Sequence, residues 1–364
     1  MKAIQITSTG GPEVLEYRTI SDPIPKRDEV LIQVHTSGVN FIDVYFRDGH
    51  YKAPLPLVLG GEGSGYIAAL GTDVSGFEVG DPVAWFGPLG SYAQQAVVPA
   101  DKIVRVPSGM DMETAAALMV QGATAYCLSH LTYPLKRGDT ALIHAAAGGV
   151  GFLLTQMAKL CGARVFATVS TEEKAELARR AGADEIIIYT QTNFDEEIIR
   201  RTDGRRVDVV YDGVGRATFE QSLKSLKPRG LLALYGAASG PVPPFELGRL
   251  AQMGSLYITR PITKDYVPTR EDLTTIMDAV FKMYLAKKLE VLIDHRTRSR
   301  TPRKPTESSR VANPLGSWCY LSGLKMERRR TRTHTRNEIR EAADALKLLV
   351  VATSLSSYVD GAAA

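Results

Sequence analysis

The sequence predicts an α/β chain of two lobes, a β-rich one followed by one built on a doubly wound parallel sheet. Three observations carry this. Up to about residue 100, short alternating runs are broken by Gly and Pro; from residue 140, strands and helices alternate strictly; and a glycine-rich turn joins the first of those strands to its helix. At 364 residues, 44% hydrophobic and 23% charged, the chain is long enough for two cores and is not a disordered polymer.

In chain order, residues 29–35 alternate Val30, Ile32 and Val34 against Leu31, Gln33 and His35, as a half-buried strand does. Further strands are expected at 60–70 and 92–98, with turn residues between them. Residues 112–131 are Ala-rich and favour helix. Strands then fall at 140–145, 164–169, 185–189, 207–212 and 231–235, with helices at 150–161, 172–181 and 194–201. Such alternation implies parallel pairing through right-handed crossovers. Residues 270–288 read as one longer amphipathic helix.

Three cysteines at wide spacing, Cys127, Cys161 and Cys319, suggest neither a disulfide framework nor a zinc cluster. The first residues alternate like a strand and lack an apolar signal core, and no apolar run approaches the ~20 residues of a spanning helix. A cytoplasmic protein without membrane partners is expected.

The turn Ala145-Ala-Ala-Gly148-Gly149-Val150-Gly151 follows an apolar strand and opens a helix. Glycines there let the backbone approach a pyrophosphate, and the helix N-terminus favours the anion. The alternative is a tight strand-to-helix turn that binds nothing. An NAD-binding domain places a carboxylate at the end of its second strand to grip the ribose 2′-hydroxyl. Here that strand ends in Thr168, Val169, Ser170 and Thr171, with Lys174 one turn on, a set suited to a 2′-phosphate and so to NADPH. Against that reading, Ser170 and Glu173 have the spacing of a capping box, Glu172 and Glu173 lie close by, and Lys174 has the place of a solvated helix residue.

These stretches, together with Gly10-Gly-Pro-Glu-Val-Leu15, Gly38-Val-Asn-Phe-Ile-Asp-Val-Tyr45, Arg47-Asp-Gly-His-Tyr51, Gly60-Gly-Glu-Gly-Ser-Gly65, Gly80-Asp-Pro-Val83, Val210-Tyr-Asp-Gly-Val-Gly215 and Gly254-Ser-Leu-Tyr-Ile-Thr-Arg-Pro261, give the chain a family resemblance. It resembles the zeta-crystallin-type quinone oxidoreductases of the medium-chain dehydrogenase/reductase superfamily, from residue 1 to about 296. The resemblance implies a GroES-like β-rich catalytic domain, residues 1–125 and 263–296, around a Rossmann NADP-binding domain, residues 126–262, with the active cleft at their junction. It also implies a homodimer.

Position by position, the resemblance assigns Asn40, Asp43, Tyr45 and Tyr51 to the nicotinamide and substrate side. Gln121 and Thr124 come near the nicotinamide, although many members have lysine in place of Gln121. Gly148, Gly149, Val150 and Gly151 face the pyrophosphate; Ser170, Lys174 and Tyr189 match the positions that bind the 2′-phosphate; Tyr235, Gly236 and Ser239 line the far wall. Zinc-dependent relatives need Cys and His ligands, but this chain has no cysteine before Cys127, Asn40 stands at the ligand cysteine, and Gly61-Glu62 replaces His-Glu. No catalytic zinc is expected. His35, His50, His130 and His144 are scattered and read as packed or surface residues.

The reaction implied is NADPH-dependent reduction of a quinone without metal, with Tyr45, Tyr51 or water protonating the reduced oxygen. On the bland alternative both tyrosines only form an aromatic wall. Reduction of activated C=C bonds in enones or enoyl thioesters is a second enzymatic reading, and a crystallin-like structural or RNA-binding role is one of another class.

Residues 297–364 depart from the family pattern. They hold 13 Lys and Arg against 6 Asp and Glu, so the net +4 divides into +7 here and −3 over residues 1–296, and only 338–351 favours helix. Moving the reading frame by one base, with a T ahead of the Thr297 codon, allows Tyr-Pro-Leu and then Ala, Glu and His at the family's spacing. The codons of Ser317 to Tyr320 then read Leu-Val-Leu, as the family ends. The stretch is therefore expected to be an out-of-frame translation and poorly ordered. Its basic charge is no argument for a nucleic-acid partner.

Overall fold

In the computed structural model, residues 1–293 are described, together with the backbone of Thr297–Arg298 and Lys347–Leu348. The described residues fall into two compact units, 1–119 and 120–292.

The first unit opens with β1 (Lys2–Ile6) and β2 (Glu16–Thr19), then β3 (Glu29–Ser37), helix α1 (Phe41–Arg47), β4 (Leu57–Val58), β5 (Glu62–Leu70), β6 (Pro82–Phe86), β7 (Gln95–Pro99) and β8 (Ile103–Arg105). Five strands form an antiparallel sheet in the order β7-β3-β5-β6-β8, and three form a second, β2-β1-β4. The alternation of β3 puts Val30, Ile32 and Val34 into a core with Ile67, Val83, Trp85, Val98 and Ile103. Helix α1 departs from the expected all-strand reading. Its sequence, Phe-Ile-Asp-Val-Tyr-Phe-Arg, is rich in aromatic and β-branched residues of modest helix propensity, so its first turn is held from outside.

Helix α2 (Met112–Tyr126) runs on into a π-turn, Cys127–Thr132. The second unit then continues β9 (Thr140–Ile143), α3 (Gly149–Leu160), β10 (Arg164–Val169), α4 (Glu172–Arg180), β11 (Glu185–Ile188), α5 (Phe194–Arg201), β12 (Val207–Asp212), α6 (Phe219–Ser225), β13 (Leu226–Leu234), α7 (Gly248–Gln252), β14 (Tyr257–Thr259) and α8 (Arg270–Leu285). Its sheet is parallel throughout, in the order β11-β10-β9-β12-β13-β14. The chain winds outward from β9 in one direction and restarts beside it with β12, the doubly wound topology predicted. The central strands are apolar runs because both faces are covered: Ala141, Leu142, Ile143, Val165, Phe166, Val209 and Val210 are all fully buried. Sequence periodicity missed α6, α7 and β14, which are short, and placed the start of β13 five residues late.

Helix α8 begins at a capping box in which the Thr269 hydroxyl accepts from the Asp272 amide and the Asp272 carboxylate accepts from the Thr269 amide, both at 3.2 Å. The expected helix at 338–351 lies outside the described residues except for Lys347–Leu348, whose backbone is extended as β16 and pairs antiparallel with β15 (Thr297–Arg298). The expectation of a poorly ordered, frame-shifted stretch otherwise falls outside the described residues too.

Candidate active site

Two groups of expected site residues take shape, one in each unit. In the second unit, β9 delivers the chain to the point where strand order reverses, the usual ligand crevice of such sheets. His144 follows immediately and is fully buried. Its Nδ1 lies 2.8 Å from Thr168 Oγ1 and its Nε2 2.9 Å from Ser222 Oγ. Ser222 donates in turn to Asp212 Oδ2 at 2.9 Å, as Thr218 does at 2.7 Å, while Asp212 Oδ1 accepts from the amides of Val214 and Gly215. Burial lowers the His144 pKa below the usual imidazole range, and the ring joins the end of β10 to helix α6. The reading of His144 as a packed residue holds.

Ala145 adopts φ 50°, and the Gly148 amide donates back to its carbonyl at 2.8 Å, closing the turn that starts α3 at Gly149. A β-carbon on Gly151 would stand 2.8 Å from Ala146 Cα, so helix and turn touch backbone to backbone there. A β-carbon on Gly149 would stand 2.6 Å from Nε2 of Gln121, whose buried carboxamide lies across that glycine. Thr124, one turn along α2, pairs its hydroxyl with that of Thr263 at 3.0 Å. The first amides of α3, among them those of Gly149, Val150 and Gly151, have no acceptor within the helix, and such a cradle fits a pyrophosphate.

At the end of β10 the cap on α4 is Thr171, whose hydroxyl accepts from the Lys174 amide at 3.4 Å. The Ser170–Glu173 capping box weighed from sequence is therefore not the one that forms. Glu172 pairs with Arg179 at 2.8 Å, and a hydrogen bond to the Thr171 side chain holds the Glu173 carboxyl below its usual range. Both acidic groups of the first turn are thus engaged within α4 and its cap. Ser170 is buried, its carbonyl accepting from the Thr190 hydroxyl at 2.8 Å, and the Tyr189 amide donates to the Val169 carbonyl at 3.0 Å. Ser170 and Tyr189 accordingly sit at adjoining strand ends. Desolvation lowers the Lys174 pKa from 10.5, as for an ammonium partly withdrawn from water.

Past β13, the amides of Tyr235 and Gly236 both donate to the Asp212 carbonyl, and Gly213 passes under the Tyr235 ring, where a β-carbon would stand 2.9 Å from Cζ. Ser239 Oγ donates to the Val214 carbonyl and accepts from the Ala217 amide. Tyr235, Gly236 and Ser239 therefore join the loops leaving β12 and β13.

In the first unit, Tyr45 and Tyr51 meet at 5.3 Å between ring centroids. Phe41 contacts Tyr45 at 5.1 Å, Phe46 contacts Tyr51 at 5.6 Å, and His50 lies 5.3 Å from Tyr51 with planes 29° apart. Such a cluster offers flat, polarisable faces to a conjugated ligand. Asp43 is not part of that surface. It is 5% exposed, with Oδ2 accepting from the Asn40 amide and the Tyr92 hydroxyl, each at 2.9 Å. Burial pushes its carboxyl up to about 6, opposed by those two bonds and by the backbone amides of Gly61 and Gly60. Tyr92 was not among the expected site residues, because nothing in a sequence marks a partner 49 positions away.

Among the described residues no group of three or more His, Cys, Asp or Glu is placed to hold a metal ion, and no helix is long and apolar enough to cross a membrane.

Two family models match this architecture: an alcohol dehydrogenase GroES-like domain over residues 26–108, and a domain described as zinc-binding dehydrogenase over residues 149–282. The chain is 46% identical over 297 residues to a quinone oxidoreductase of Pseudomonas aeruginosa, a match covering 81% of this chain and 91% of that one. Escherichia coli quinone oxidoreductase, solved in complex with NADPH, superposes with a TM-score of 0.78 at 39% identity, covering 81% and 90% of the two chains. A 2-haloacrylate reductase of a Burkholderia species is 40% identical over 280 residues, 74% of this chain and 84% of its own length. The fold and these matches define a medium-chain dehydrogenase/reductase. Within that class the chain belongs to the quinone oxidoreductase family.

Proposed function

We propose that this chain reduces quinones with NADPH and without a catalytic metal. The observation that carries the reading is the end of β10, where Ser170, Lys174 and Tyr189 offer hydroxyls and an ammonium and no carboxylate is left over to select a ribose 2′-hydroxyl. The cofactor fits the chain's own residues. Gly148, Gly149, Val150 and Gly151 would take the pyrophosphate on backbone amides, Gln121 and Thr124 would lie toward the nicotinamide, and Tyr235, Gly236 and Ser239 would wall the far side. Bound NADPH supplies a hydride. The Tyr45 and Tyr51 rings would receive the flat acceptor, with the proton for its reduced oxygen coming from either hydroxyl or from water.

Independence from zinc is supported by the donor set. Asn40 and Gly61-Glu62 stand where zinc enzymes of this fold keep Cys and His-Glu, and one carboxylate with amides does not make a zinc site. Metal analysis of active enzyme, and activity surviving a strong chelator, test that part.

Steady-state NADPH oxidation with 1,2- and 1,4-quinones, run beside enones and with NADH as the comparison cofactor, tests the whole. Quinone turnover with NADPH preferred is expected. Turnover of enones alone would transfer the reading to C=C reduction, which the Burkholderia relative favours. A homodimer in the cytoplasm completes the proposal, to be checked by sedimentation equilibrium and by cell fractionation.

A further inference from the structure

Tyr92 is fastened on every side. Its amide donates to the Leu59 carbonyl at 3.0 Å and its carbonyl accepts from the Ile4 amide at 2.8 Å. Its ring is buried with Ile6 and Leu59, with Val39 and Phe46 packed against them. Gly60, at φ +89°, passes under the ring so closely that a β-carbon would stand 2.8 Å from Cε1. Next door, the hydroxyls of Ser91 and Ser37, both fully buried, meet at 2.5 Å, and Ser37 also donates to the Glu62 carbonyl at 3.2 Å. A ring so confined delivers its hydroxyl to one place, Asp43 Oδ2 at 2.9 Å, on the oxygen that also accepts from the Asn40 amide.

Helix α1 is only seven residues long, too short to hold itself. It carries Tyr45 one half-turn beyond Asp43, and the Tyr45 carbonyl accepts from the Tyr51 amide at 2.8 Å. The orientation of both aromatic rings therefore depends on how the first turn of α1 is pinned.

We infer that Tyr92 is a positioning residue for quinone reduction, acting through its hydrogen bond to Asp43 on the α1 turn that presents Tyr45 and Tyr51. The inference rests on the reading above that these two rings receive the acceptor. The groups around the Asp43 carboxyl are neutral: the Tyr92 hydroxyl and the amides of Asn40, Gly60 and Gly61. Of the nearby ionisable groups, Glu62 of β5 packs on Gly38, and Arg47, one turn beyond Asp43 in α1, interacts electrostatically with Tyr92 and donates to the Gly10 carbonyl at 3.2 Å.

The test uses Tyr92→Phe, Asp43→Asn and Asp43→Ala in the full chain, with a 1,4-quinone as acceptor. Y92F is expected to lower kcat/KM for the quinone about tenfold, the usual worth of a hydrogen bond to a charged group. NADPH affinity, read by fluorescence titration, should stay within about twofold, since the phosphate-cradling residues belong to the other unit. The acid limb of the pH–rate profile should move upward in Y92F, because the hydroxyl that favours the ionised carboxylate is gone, and should vanish in D43N. D43N keeps an acceptor oxygen and should retain more activity than D43A. Wild-type kcat/KM together with an unmoved acid limb in Y92F would overturn the inference. Should Y92F fail to bind NADPH and melt early, the comparison of D43N with D43A decides in its place. If the wild type reduces no quinone, the functional reading fails by itself. The positioning is then read from ring-labelled tyrosine NMR, where unshifted Tyr45 and Tyr51 resonances in Y92F, or in D43A, would refute it.

Discussion

The buried carboxamide of Gln121 lies across the α-carbon of Gly149, the first residue of α3. Two glycines of that turn, Gly149 and Gly151, are consequently constrained by different things. At Gly149 a new methyl group meets the end of a side chain, which can swing away; at Gly151 it meets the backbone of Ala145 and Ala146, which cannot. Gly149→Ala should chiefly weaken NADPH binding and be partly relieved by adding Gln121→Ala. Gly151→Ala should instead destabilise the fold by about 1–3 kcal/mol. Urea melts beside NADPH titrations separate the two, and equal loss of stability in both variants would contradict the distinction.

Lys174 should matter for one cofactor only. If the proposed site is right, removing its ammonium would delete a charged contact to the 2′-phosphate and nothing that a bare ribose needs. Lys174→Ala is expected to raise KM for NADPH about 10- to 100-fold while leaving NADH within about twofold. The NADPH effect should shrink with added salt. A parallel loss with both cofactors would mean that Lys174 supports α4 and does not select.

Asp43 gives the fold a pH dependence of definite sign. Its pKa is raised by burial from 3.8 to about 6, so the folded state holds the proton more tightly than the unfolded one. The stability it contributes is complete below about pH 4 and is lost as pH rises through about 6. Relative to Asp43→Asn, the wild type should lose about 3 kcal/mol of stability between about pH 4 and about pH 7.5, with little further change above that. Denaturant midpoints for the two proteins across that range check it, and a wild type that gains stability relative to Asp43→Asn as pH rises would have the wrong sign. A carboxylate kept at this cost beside an aromatic cluster is what a site imposes on its scaffold.

Most of the second unit could be read from sequence because a parallel sheet buried on both faces writes itself as apolar runs: Ala141 to Ile143, Val165 to Val169 and Val207 to Tyr211 could hardly be anything else. The glycine turn was equally legible, since only glycine meets the contacts at Gly151. Helix α1 was not, because Phe41, Ile42, Val44 and Tyr45 prefer strands and the helix depends on Asp43 and its distant partner. The Tyr92–Asp43 bond, the cap at Thr171 where Ser170 was a rival, and the hold of Gln121 on Gly149 are all products of tertiary placement. Residue types and spacings name candidates; which oxygen faces which proton is decided only when the strands close up.

The stretch beyond residue 296 makes a prediction at the level of the gene. Resequencing across the Arg296 codon should recover one additional base, after which the reading frame continues as Tyr-Pro-Leu. An intact and independently confirmed frame would instead make the basic stretch a genuine part of the protein.

Strand order separates two decisions that a coenzyme site has to make. On the proposed reading, the turn after β9 would meet what every nicotinamide dinucleotide shares, and the ends of β10 and β11, two neighbouring strands of the same sheet, would meet what distinguishes one from the other. Because neighbouring strands are joined here by whole helices, the segment 170–174 can drift or be grafted without disturbing 145–151. Such a scaffold can change the currency it accepts by altering a handful of residues, and its relatives can diverge in cofactor while their anchoring turn stays fixed.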